Sequence, residues 1–392
     1  MNSQVSSLHA INKIDKLTFF ISEACTLNCR YCHVRLPDAE NRERTMSEET
    51  ARNIVRRIFS QFESCNFVQF SGGEPTLNMP AVRAIVDEIR CMVSQGIILQ
   101  PPGFGIVTNG ASRHAPEMVA FCREHDIAAT VSLDGPRYIH DALRPSAQGM
   151  GSFDEAVTTI EALLASRVST AIETVYTSSH IDQGCSIVDL LRFTAGLGVK
   201  KLIFHTAYPP APLELYPFDD SHFERLLDCH LEAVNWWFES LLYGGKAPVD
   251  VYFRELLVPL LESGGADVAC GGRTAGFRDV AVGPDGDVYA CHLLYKFPQF
   301  YSGNVLSGDH LPQGMRLPVH TDDPTECASC FARHWCRPCG ALNPTWGDAW
   351  RPPRRECMLR QVVLFRIGEL AFKHLSIPVN TMTEVLRQAA EG

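Results

Sequence analysis

The sequence predicts an α/β fold in which a parallel sheet forms a partial, TIM-like (β/α)6 barrel, followed by a small cysteine-rich domain. The first observation is an alternation of short apolar strands with helical patterns, repeated six times between residues 16 and about 205. Such alternation is typical of parallel sheets with right-handed crossovers. The second is length, because 392 residues exceed one ordinary core. The third is that seven of the 15 cysteines lie between residues 270 and 357.

Each predicted strand is a short apolar run, and each predicted helix carries apolar residues at helical spacing. The strands are Lys16–Ser22, Asn66–Phe70, Phe104–Thr108, Ile127–Leu133, Thr170–Tyr176 and Lys201–His205. The helices between them are Ser47–Phe62, Pro80–Gln95, Ala115–His125, Ser152–Ser166 and Gln183–Leu197. Ser47 is the expected N-cap of the first helix, with Glu48 and Glu49 beside the positive end of the helix dipole.

After the barrel strands the composition changes. Residues 206–220 contain four prolines and are interpreted as a linker. The later predicted elements are a helix Ser221–Leu242, a hairpin around Pro284–Asp287 with strands Asp279–Val282 and Val288–Ala290, and a last helix from Arg355 to about Leu375. The predicted division is a tail at 1–15, the barrel at 16–220, a helical linker at 221–265, the cysteine-rich domain at 266–375 and a tail at 376–392.

Composition narrows the function classes. Hydrophobic residues make up 45% and charged residues 20% of the chain, which indicates a globular protein. The net charge is −10 and no basic block offsets it, so nucleic acid is not an expected partner. The sequence shows neither a signal peptide nor an apolar stretch long enough to span a membrane. We therefore expect a cytoplasmic protein whose cysteines serve metal or redox chemistry rather than disulfides.

Three cysteines near the start are the most specific chemical feature. Cys25, Cys29 and Cys32 follow the first predicted strand in a CxxxCxxC spacing, with Tyr31 before the last one. Three thiolates on one loop can hold three irons of a 4Fe–4S cube and leave the fourth iron for a small molecule. A zinc loop and a chance run are the alternatives, although zinc sites of this kind use four ligands, commonly from two CxxC-like pairs.

Glycine-rich and polar segments follow other predicted strands. Gly72, Gly73 and Glu74 follow the second strand, Asn109–Gly110 the third and Asp134–Gly135 the fourth. The two glycines let the backbone approach a ligand closely, and Glu74 can accept a hydrogen bond from an ammonium group. Taken alone, the glycine segment also fits an ordinary turn. Because the strand ends of a barrel meet at one opening, we expect these segments to lie together with the cysteine loop.

The cysteine spacing, followed by the Gly-Gly-Glu segment, resembles the radical S-adenosylmethionine (SAM) superfamily. The resemblance implies that a 4Fe–4S cluster on the three cysteines binds the amino and carboxylate groups of SAM through its free iron. One electron from the cluster would then release a 5′-deoxyadenosyl radical. The implied SAM-binding residues are Gly72, Gly73 and Glu74 for the amino end, Ser132 for the ribose or carboxylate, Arg144 for the carboxylate, Thr108 and Asn109 as pocket lining, and Tyr31 near the adenine or as a shield for the cluster.

The later cysteines resemble a second family pattern, the SPASM domain, which holds two auxiliary 4Fe–4S clusters. Its CX9–15GX4C part is similar to Cys270, Gly286 and Cys291, and its CX2CX5CX3C part to residues 327–339, where the last spacing is one residue short. The resemblance implies one cluster on Cys327, Cys330, Cys336 and Cys357 and another on Cys270, Cys291 and Cys339. Some relatives carry a fourth cysteine where this chain has Gly276. A zinc ribbon built from the two CxxC pairs is the alternative.

These resemblances imply a radical SAM/SPASM maturase that forms a carbon–carbon or thioether cross-link in a ribosomally made precursor peptide. An anaerobic sulfatase maturase, which makes formylglycine, is the second hypothesis, because Ser132–Asp154 resembles that family. Those enzymes carry an aspartate directly after the GX4C cysteine, where this chain has His292. The third hypothesis is an iron–sulfur or zinc module for electron transfer or binding, without catalysis.

Candidate general bases are His205, Tyr208 and His292, all expected near the barrel opening. The expected partners are a precursor peptide and a reducing electron donor of the flavodoxin or ferredoxin type. Only 24 residues precede Cys25, which leaves no room for an N-terminal winged-helix domain that grips a leader peptide. We therefore expect leader recognition by a separate protein, or by the barrel through addition of the peptide to a sheet edge.

Overall fold

A computed structural model describes residues 13–32, 34, 44–207, 220–244, 248–250, 253, 278–308, 329–334 and 354–374. The described strands form one ten-stranded sheet. They are β1 Lys13–Ser22, β2 Ser64–Gly72, β3 Gly103–Thr108, β4 Ile127–Ser132, β5 Thr170–Tyr176, β6 Lys201–Thr206, β7 Val249–Asp250, β8 Asp279–Val282, β9 Asp287–Tyr289 and β10 Tyr301–Asn304. The spatial order is β10-β9-β8-β1-β2-β3-β4-β5-β6-β7.

Strands β1 to β6 are parallel and adjacent in chain order. Helices connect them from one carboxyl end to the next amino end, which is the predicted (β/α)6 arrangement. The helices are α1 Glu48–Phe59, α2 Met79–Ser94, α3 Ala115–His125, α4 Arg137–Leu143, α5 Phe153–Ala165, α6 Ser178–Asp182, α7 Ile187–Gly196, α8 Asp220–Leu242 and α9 Arg354–Lys373. All six predicted barrel strands are confirmed, with small shifts at their ends.

The core lies between the sheet and these helices. Alternate strand residues such as Phe19, Phe70 and Ile172 are buried with the apolar stripes of the helices. The remaining residues of each strand point to the opposite, inner face of the curved sheet. Polar side chains can therefore line the inside without disturbing the core.

The predicted helix Gln183–Leu197 is confirmed as α7, which begins four residues later than predicted, at Ile187. Ser186 starts it as part of a capping box with Asp189. The short helix α6 before it was not predicted, and Gly184, with a φ of 68°, lies between the two helices. Helix α4 was not predicted, because seven residues after Pro136 are too few for a periodic signal.

The hairpin belongs to the same sheet as the barrel. Strand β8 pairs in parallel with β1, from Lys16 opposite Asp279 to Phe19 opposite Val282, and β9 turns back beside it. Helix α8 is a core helix rather than a linker, because Trp237 on it is fully buried and α9 packs against it. The sheet therefore runs past the predicted boundary at residue 266. The two predicted tails lie almost entirely outside the described residues.

Within the described part of the chain, no helix combines the length and the apolar character needed to cross a membrane.

Ser47 caps α1 as predicted, since its hydroxyl oxygen accepts a hydrogen bond of 3.0 Å from the Thr50 amide. Ser47→Ala is expected to lower the free energy of unfolding by about 1 kcal/mol, because one helix-terminal N–H loses its partner. Denaturant titration of the two proteins measures this. Ser60→Ala, at the other end of the same helix, is the matched control, and an equal loss in both variants would contradict the capping role.

Candidate active site at the carboxyl ends of the strands

The cysteine loop follows β1 and rests on the segment after α4. The Asn28 amide donates to the Pro145 carbonyl at 2.7 Å, and the Arg30 amide donates to the Leu143 carbonyl at 2.9 Å. Leu27 forms a further bridge with Ser146. The loop is therefore held by backbone hydrogen bonds at the carboxyl edge of the sheet.

The three thiols of this loop are partly exposed. Cys25 Sγ accepts weak hydrogen bonds from the Leu27 amide at 3.4 Å and from Asn109 Nδ2 at 3.5 Å. Burial raises the pKa of Cys29 to about 12; Arg144 opposes this, while the neighbouring thiols of Cys32 and Cys25 add to it. A cluster bound here would take the cysteines as thiolates, so its binding would release the proton of Cys29.

Among the described residues, no three or more His, Cys, Asp or Glu side chains converge on a position for a single metal ion. A cube presents a separate iron to each thiolate, so its ligands need not converge in that way. Three clustered thiols on one loop thus fit the predicted cluster by their chemistry.

Gly72 and Gly73 bring the end of β2 against the cysteine loop. The Gly73 amide donates to the Ser22 carbonyl and the Glu74 amide to the Ala24 carbonyl, both at 2.8 Å. A Cβ atom on Gly72 would lie 2.3 Å from the Ser22 carbonyl oxygen, and one on Gly73 would lie 2.4 Å from that of Ala24. The glycines are therefore required by the close contact between two backbone segments, directly before Cys25.

Glu74 joins the ends of β2 and β3. Its carboxylate is fully buried and accepts hydrogen bonds from the Thr76 amide (3.1 Å) and hydroxyl (2.7 Å), the Thr108 hydroxyl (2.7 Å) and the Asn109 amide (2.8 Å). Burial raises the pKa of Glu74, and the hydrogen bonds only partly offset this. The observed partners of Glu74 are thus groups of the protein itself, whereas its predicted contact with the SAM ammonium stays a prediction.

Asn109 connects the end of β3 to the cysteine loop, since its side-chain amide donates to the Thr26 hydroxyl at 3.1 Å. The structure therefore brings together three of the segments predicted to meet: the cysteine loop, the Gly-Gly-Glu segment and Thr108–Asn109.

Asp134 was expected at the end of the fourth strand, but the sequence assigned it no role. It is fully buried at the end of β4, where its carboxylate accepts hydrogen bonds from Arg144 Nε at 2.9 Å and Nη2 at 3.0 Å. The Tyr31 hydroxyl and the Val175 amide also donate to it. Burial alone would raise the pKa of Asp134, but Arg144 keeps it below its ordinary value. Asp134 therefore links the cysteine loop, β4, β5 and the segment after α4.

Two buried histidines fix the backbone of Asp134. His180 Nε2 lies 2.8 Å from the Asp134 carbonyl, and His140 Nδ1 accepts from the Asp134 amide at 3.3 Å. His140 Nε2 lies 3.0 Å from the Ser152 hydroxyl, which donates to the Arg144 carbonyl at 2.7 Å. These contacts are consistent with neutral imidazoles that carry the proton on Nε2.

Burial lowers the pKa of His140 from 6.5 to about 4. The unfolded chain therefore binds more protons than the folded one between these values, so stability falls as the pH drops from 6.5 to 4. We expect His140 to account for about 3 kcal/mol of this loss. Unfolding free energies measured across this range should show a shallower pH slope in His140→Gln than in the wild type. Identical slopes would contradict the assignment.

The structure places the remaining predicted SAM-binding residues around Asp134. The Tyr31 ring lies under the Arg144 guanidinium, whose carbon is 5.2 Å from the ring centre. Burial raises the pKa of Tyr31 well above its ordinary range. Ser132 is buried at the end of β4. The guanidinium of Arg144 is paired with a protein carboxylate, so its predicted role toward the SAM carboxylate remains a prediction alongside this observed one.

The C-terminal hairpin is attached beside the cysteine loop through Glu23. One Glu23 oxygen accepts from the Tyr295 hydroxyl at 2.6 Å and from Arg44 Nη2 at 2.8 Å, and the other lies 2.9 Å from Lys296 Nζ. Tyr295 also stacks on Phe20, with 3.7 Å between the ring centres. The segment that carries Cys291 is thereby held against the strand that leads to Cys25.

The other C-terminal residues are only partly described. Cys291 is buried, and its Sγ lies 3.5 Å from His292 Nδ1. Cys330 Sγ accepts from Gln361 Nε2 at 3.3 Å, and Gln361 stands one helical turn after Cys357 on α9. The predicted ligands Cys270, Cys327, Cys336 and Cys339, together with the candidate base Tyr208, lie outside the described residues.

His205, another candidate base, lies at the end of β6. Its Nε2 is 3.5 Å from Glu173 Oε1 on the neighbouring strand β5. The sequence analysis did not assign a role to Glu173, because pairing across two strands 32 positions apart leaves no local sequence signal.

Comparison with known proteins identifies the kind of domain that carries the site. Residues 19–183 match the family model described as the radical SAM superfamily. The chain carries a radical SAM domain. It is similar to a cysteine-type anaerobic sulfatase-maturating enzyme of Clostridium novyi (strain NT), with 29% identity over 297 residues, which is 72% of this chain and 74% of the relative.

Two solved structures share the fold. The structure described as native anSMEcpe with bound AdoMet and Cp18Cys peptide superposes with a TM-score of 0.75 at 21% identity and covers 94% of this chain and 99% of that chain. Streptococcus suis SuiB bound to precursor peptide SuiA superposes with a TM-score of 0.56 at 16% identity and covers 86% and 74%. The partial barrel with a C-terminal domain is thereby confirmed.

A radical SAM domain implies a 4Fe–4S cluster and SAM, and it indicates an enzyme. The match weighs against the third hypothesis, a module without catalysis.

Proposed function

We propose that this radical SAM enzyme abstracts a hydrogen atom from a residue of a ribosomally made precursor peptide and forms a carbon–carbon or thioether cross-link. The observation that supports this most directly is the meeting of the cysteine loop with the ends of β2, β3 and β4 at one edge of the sheet. A radical reaction needs its reagent and target held together away from water, and this edge offers such a position.

Cys25, Cys29 and Cys32 would hold the SAM-binding cluster. SAM would lie across the Gly72–Glu74 segment, Thr108–Asn109, Ser132 and Arg144. When bound, the cluster and SAM supply the 5′-deoxyadenosyl radical that removes the hydrogen atom. The protein contributes rigidity: Glu74 and Asp134 tie the strand ends to the loop through buried hydrogen bonds.

Two auxiliary 4Fe–4S clusters complete the proposed cofactor set. Cys327, Cys330, Cys336 and Cys357 would hold one, and Cys270, Cys291 and Cys339 the other. The contact between Cys330 and Gln361 supports the first set, because it brings the 330 segment to the helix that carries Cys357. The attachment of the hairpin through Glu23 supports the second, because it places Cys291 on the flank of the cysteine loop.

Formylglycine formation on a sulfatase is the second candidate reaction. It is favoured by the similarity to the Clostridium novyi sulfatase-maturating enzyme over 72% of this chain. The residue after Cys291 weighs against it, because His292 stands where those enzymes are expected to carry an aspartate.

Mass spectrometry with two peptide sets distinguishes these reactions. Anaerobically reconstituted protein is incubated with SAM, dithionite and either precursor peptides encoded beside the gene or sulfatase-derived peptides containing Cys or Ser. A cross-linked product loses two hydrogen atoms, keeps its sulfur and does not react with an aminooxy probe. Formylglycine is an aldehyde and does react. Deoxyadenosine formation that no peptide stimulates, with every peptide unchanged, would contradict both reactions.

The remaining partners belong to the same proposal. A flavodoxin- or ferredoxin-type protein would reduce the clusters. The leader of the peptide would be recognised by a separate binding protein or by an edge of the sheet.

A further inference from the structure

Glu173 and His205 form a carboxylate–imidazole pair on the inner face of the barrel. Their strand neighbours Ile172 and Phe204 are buried toward the helices, so Glu173 and His205 point the opposite way. His205 Nε2 lies 3.5 Å from Glu173 Oε1, and the two side chains are 51% and 28% exposed. The pair is therefore within reach of a molecule inside the barrel.

The pair lies at the same edge of the sheet, the carboxyl ends of the strands, as the proposed SAM site. Glu173 is opposite Ser132, the last residue of β4, in the strand register. Burial raises the pKa of Glu173, but the hydrogen bond and charge of His205, then the charges of Arg144 and Lys16, bring it below its ordinary value. Glu173 is thus a carboxylate that keeps its charge beside an imidazole.

The backbone that carries Glu173 is rigid. The Thr174 hydroxyl donates to the Leu133 carbonyl at 2.6 Å, and the Val175 amide donates to Asp134 Oδ1 at 3.1 Å. These bonds fix β5 to the end of β4 at the two residues that follow Glu173. A base that must meet a substrate atom at hydrogen-bond distance needs this kind of support.

We infer that His205, oriented by Glu173, is the base that accepts a proton from an S–H or O–H group of the peptide residue being modified. This inference rests on the proposed function and deepens it. A carboxylate beside an imidazole orients the ring and stabilises the imidazolium that forms on proton transfer. Glu173 is a positioning residue and His205 is the group that touches the substrate.

The hydrogen atom leaves a substrate carbon for the SAM-derived carbon radical, and an unpaired electron remains on that substrate carbon. The S–H or O–H bond breaks, its proton goes to the imidazole of His205, and the sulfur or oxygen forms a new bond to the radical carbon. The surplus electron goes to an oxidised iron–sulfur cluster, which is the oxidant that this step requires.

The surroundings favour His205 over His292. His292 lies beside Cys291, with Nδ1 3.5 Å from the thiol sulfur of a predicted cluster ligand. Its imidazole therefore faces the proposed metal site, whereas that of His205 faces the inside of the barrel.

The test separates hydrogen abstraction from proton transfer. Reconstituted enzyme is given SAM, dithionite and synthetic peptides that contain cysteine or serine and are deuterated at Cα and Cβ of every residue. Deuterium in deoxyadenosine reports abstraction, and the mass of the peptide reports product. In His205→Gln we expect deuterium transfer to continue while product formed per deoxyadenosine falls about 100-fold. Glu173→Gln should reduce the same ratio less. The cysteine and serine peptides show whether the proton comes from a thiol or a hydroxyl.

Further readouts distinguish a base from a structural residue. Iron content and peptide affinity, measured by fluorescence anisotropy without SAM, should be unchanged in both variants, and added imidazole should restore product in His205→Gly. His222→Gln is the matched control, because His222 also pairs with a carboxylate, Asp182 at 2.9 Å, but between α6 and α8.

Three results would overturn the inference. The first is an unchanged ratio of product to deoxyadenosine in His205→Gln, and the second is a parallel fall of product and deuterium transfer in that variant. The third is a fall of this ratio in His292→Gln instead of His205→Gln. If the wild type transfers no deuterium from any peptide, the proposed function itself fails, and the inference fails with it.

Discussion

Asp134→Ala is expected to lower the free energy of unfolding by about 3 to 5 kcal/mol, since it leaves the buried guanidinium of Arg144 without its carboxylate. Arg144 is 6% exposed, so water cannot replace the lost partner. The same change frees the hydroxyl of Tyr31 and removes the acceptor of the Val175 amide. The cysteine loop and β5 then lose their common anchor, and deoxyadenosine formation should fall with stability.

Denaturant titration and a deoxyadenosine assay measure the two effects. The matched control is Asp154→Ala, which breaks a second bidentate Arg–Asp pair, with Arg137, on the surface. We expect little change there, because water solvates an exposed guanidinium. Equal losses of unfolding free energy in both variants would contradict the claim that burial makes the Asp134–Arg144 pair important for stability.

Gly73→Ala is expected to reduce deoxyadenosine formation about 100-fold, as a displacement of about 1 Å can do at a reacting centre. The new methyl group would lie 2.4 Å from the Ala24 carbonyl oxygen and 2.5 Å from that of Glu23. Both atoms belong to the backbone, so no side-chain rotation relieves the clash. The loop that carries Cys25 must move away from the Gly-Gly-Glu segment, and we expect about 1 to 3 kcal/mol of destabilisation.

Gly196→Ala is the matched control for this change. Gly196 closes α7, and a Cβ atom there would meet nothing within 4 Å. Neither glycine has a positive φ, so the two variants differ in the space available to the new methyl group and not in backbone strain. Full activity in Gly73→Ala with an unchanged iron content would contradict the close contact between the two segments.

The sequence was sufficient for the parts of the fold and site that leave local signals. The six strands of the barrel are apolar runs with fixed spacing, and Ser47 precedes its helix in a recognisable cap. The cysteine loop and the Gly-Gly-Glu segment could be expected together because the carboxyl ends of parallel strands meet at one edge.

The remaining features depend on contacts between residues distant in the chain. Nothing near Asp134 indicates that it binds Tyr31, which lies 103 positions earlier. The pairing of β8 with β1 joins residues 279 and 16, so a boundary drawn from composition alone missed it. Glu74 shows a further limit: its motif was found, but its four partners inside the protein were not.

The central claim is that Cys25, Cys29 and Cys32 hold the cluster that activates SAM. The most direct measurement compares the wild type with a variant in which all three are alanine, both reconstituted anaerobically with iron and sulfide. With three cubes, the wild type should hold about twelve irons and form deoxyadenosine from SAM and dithionite. The variant should hold about four fewer irons and form none. Zinc in place of iron in the wild type, or deoxyadenosine formed by the variant, would contradict the account.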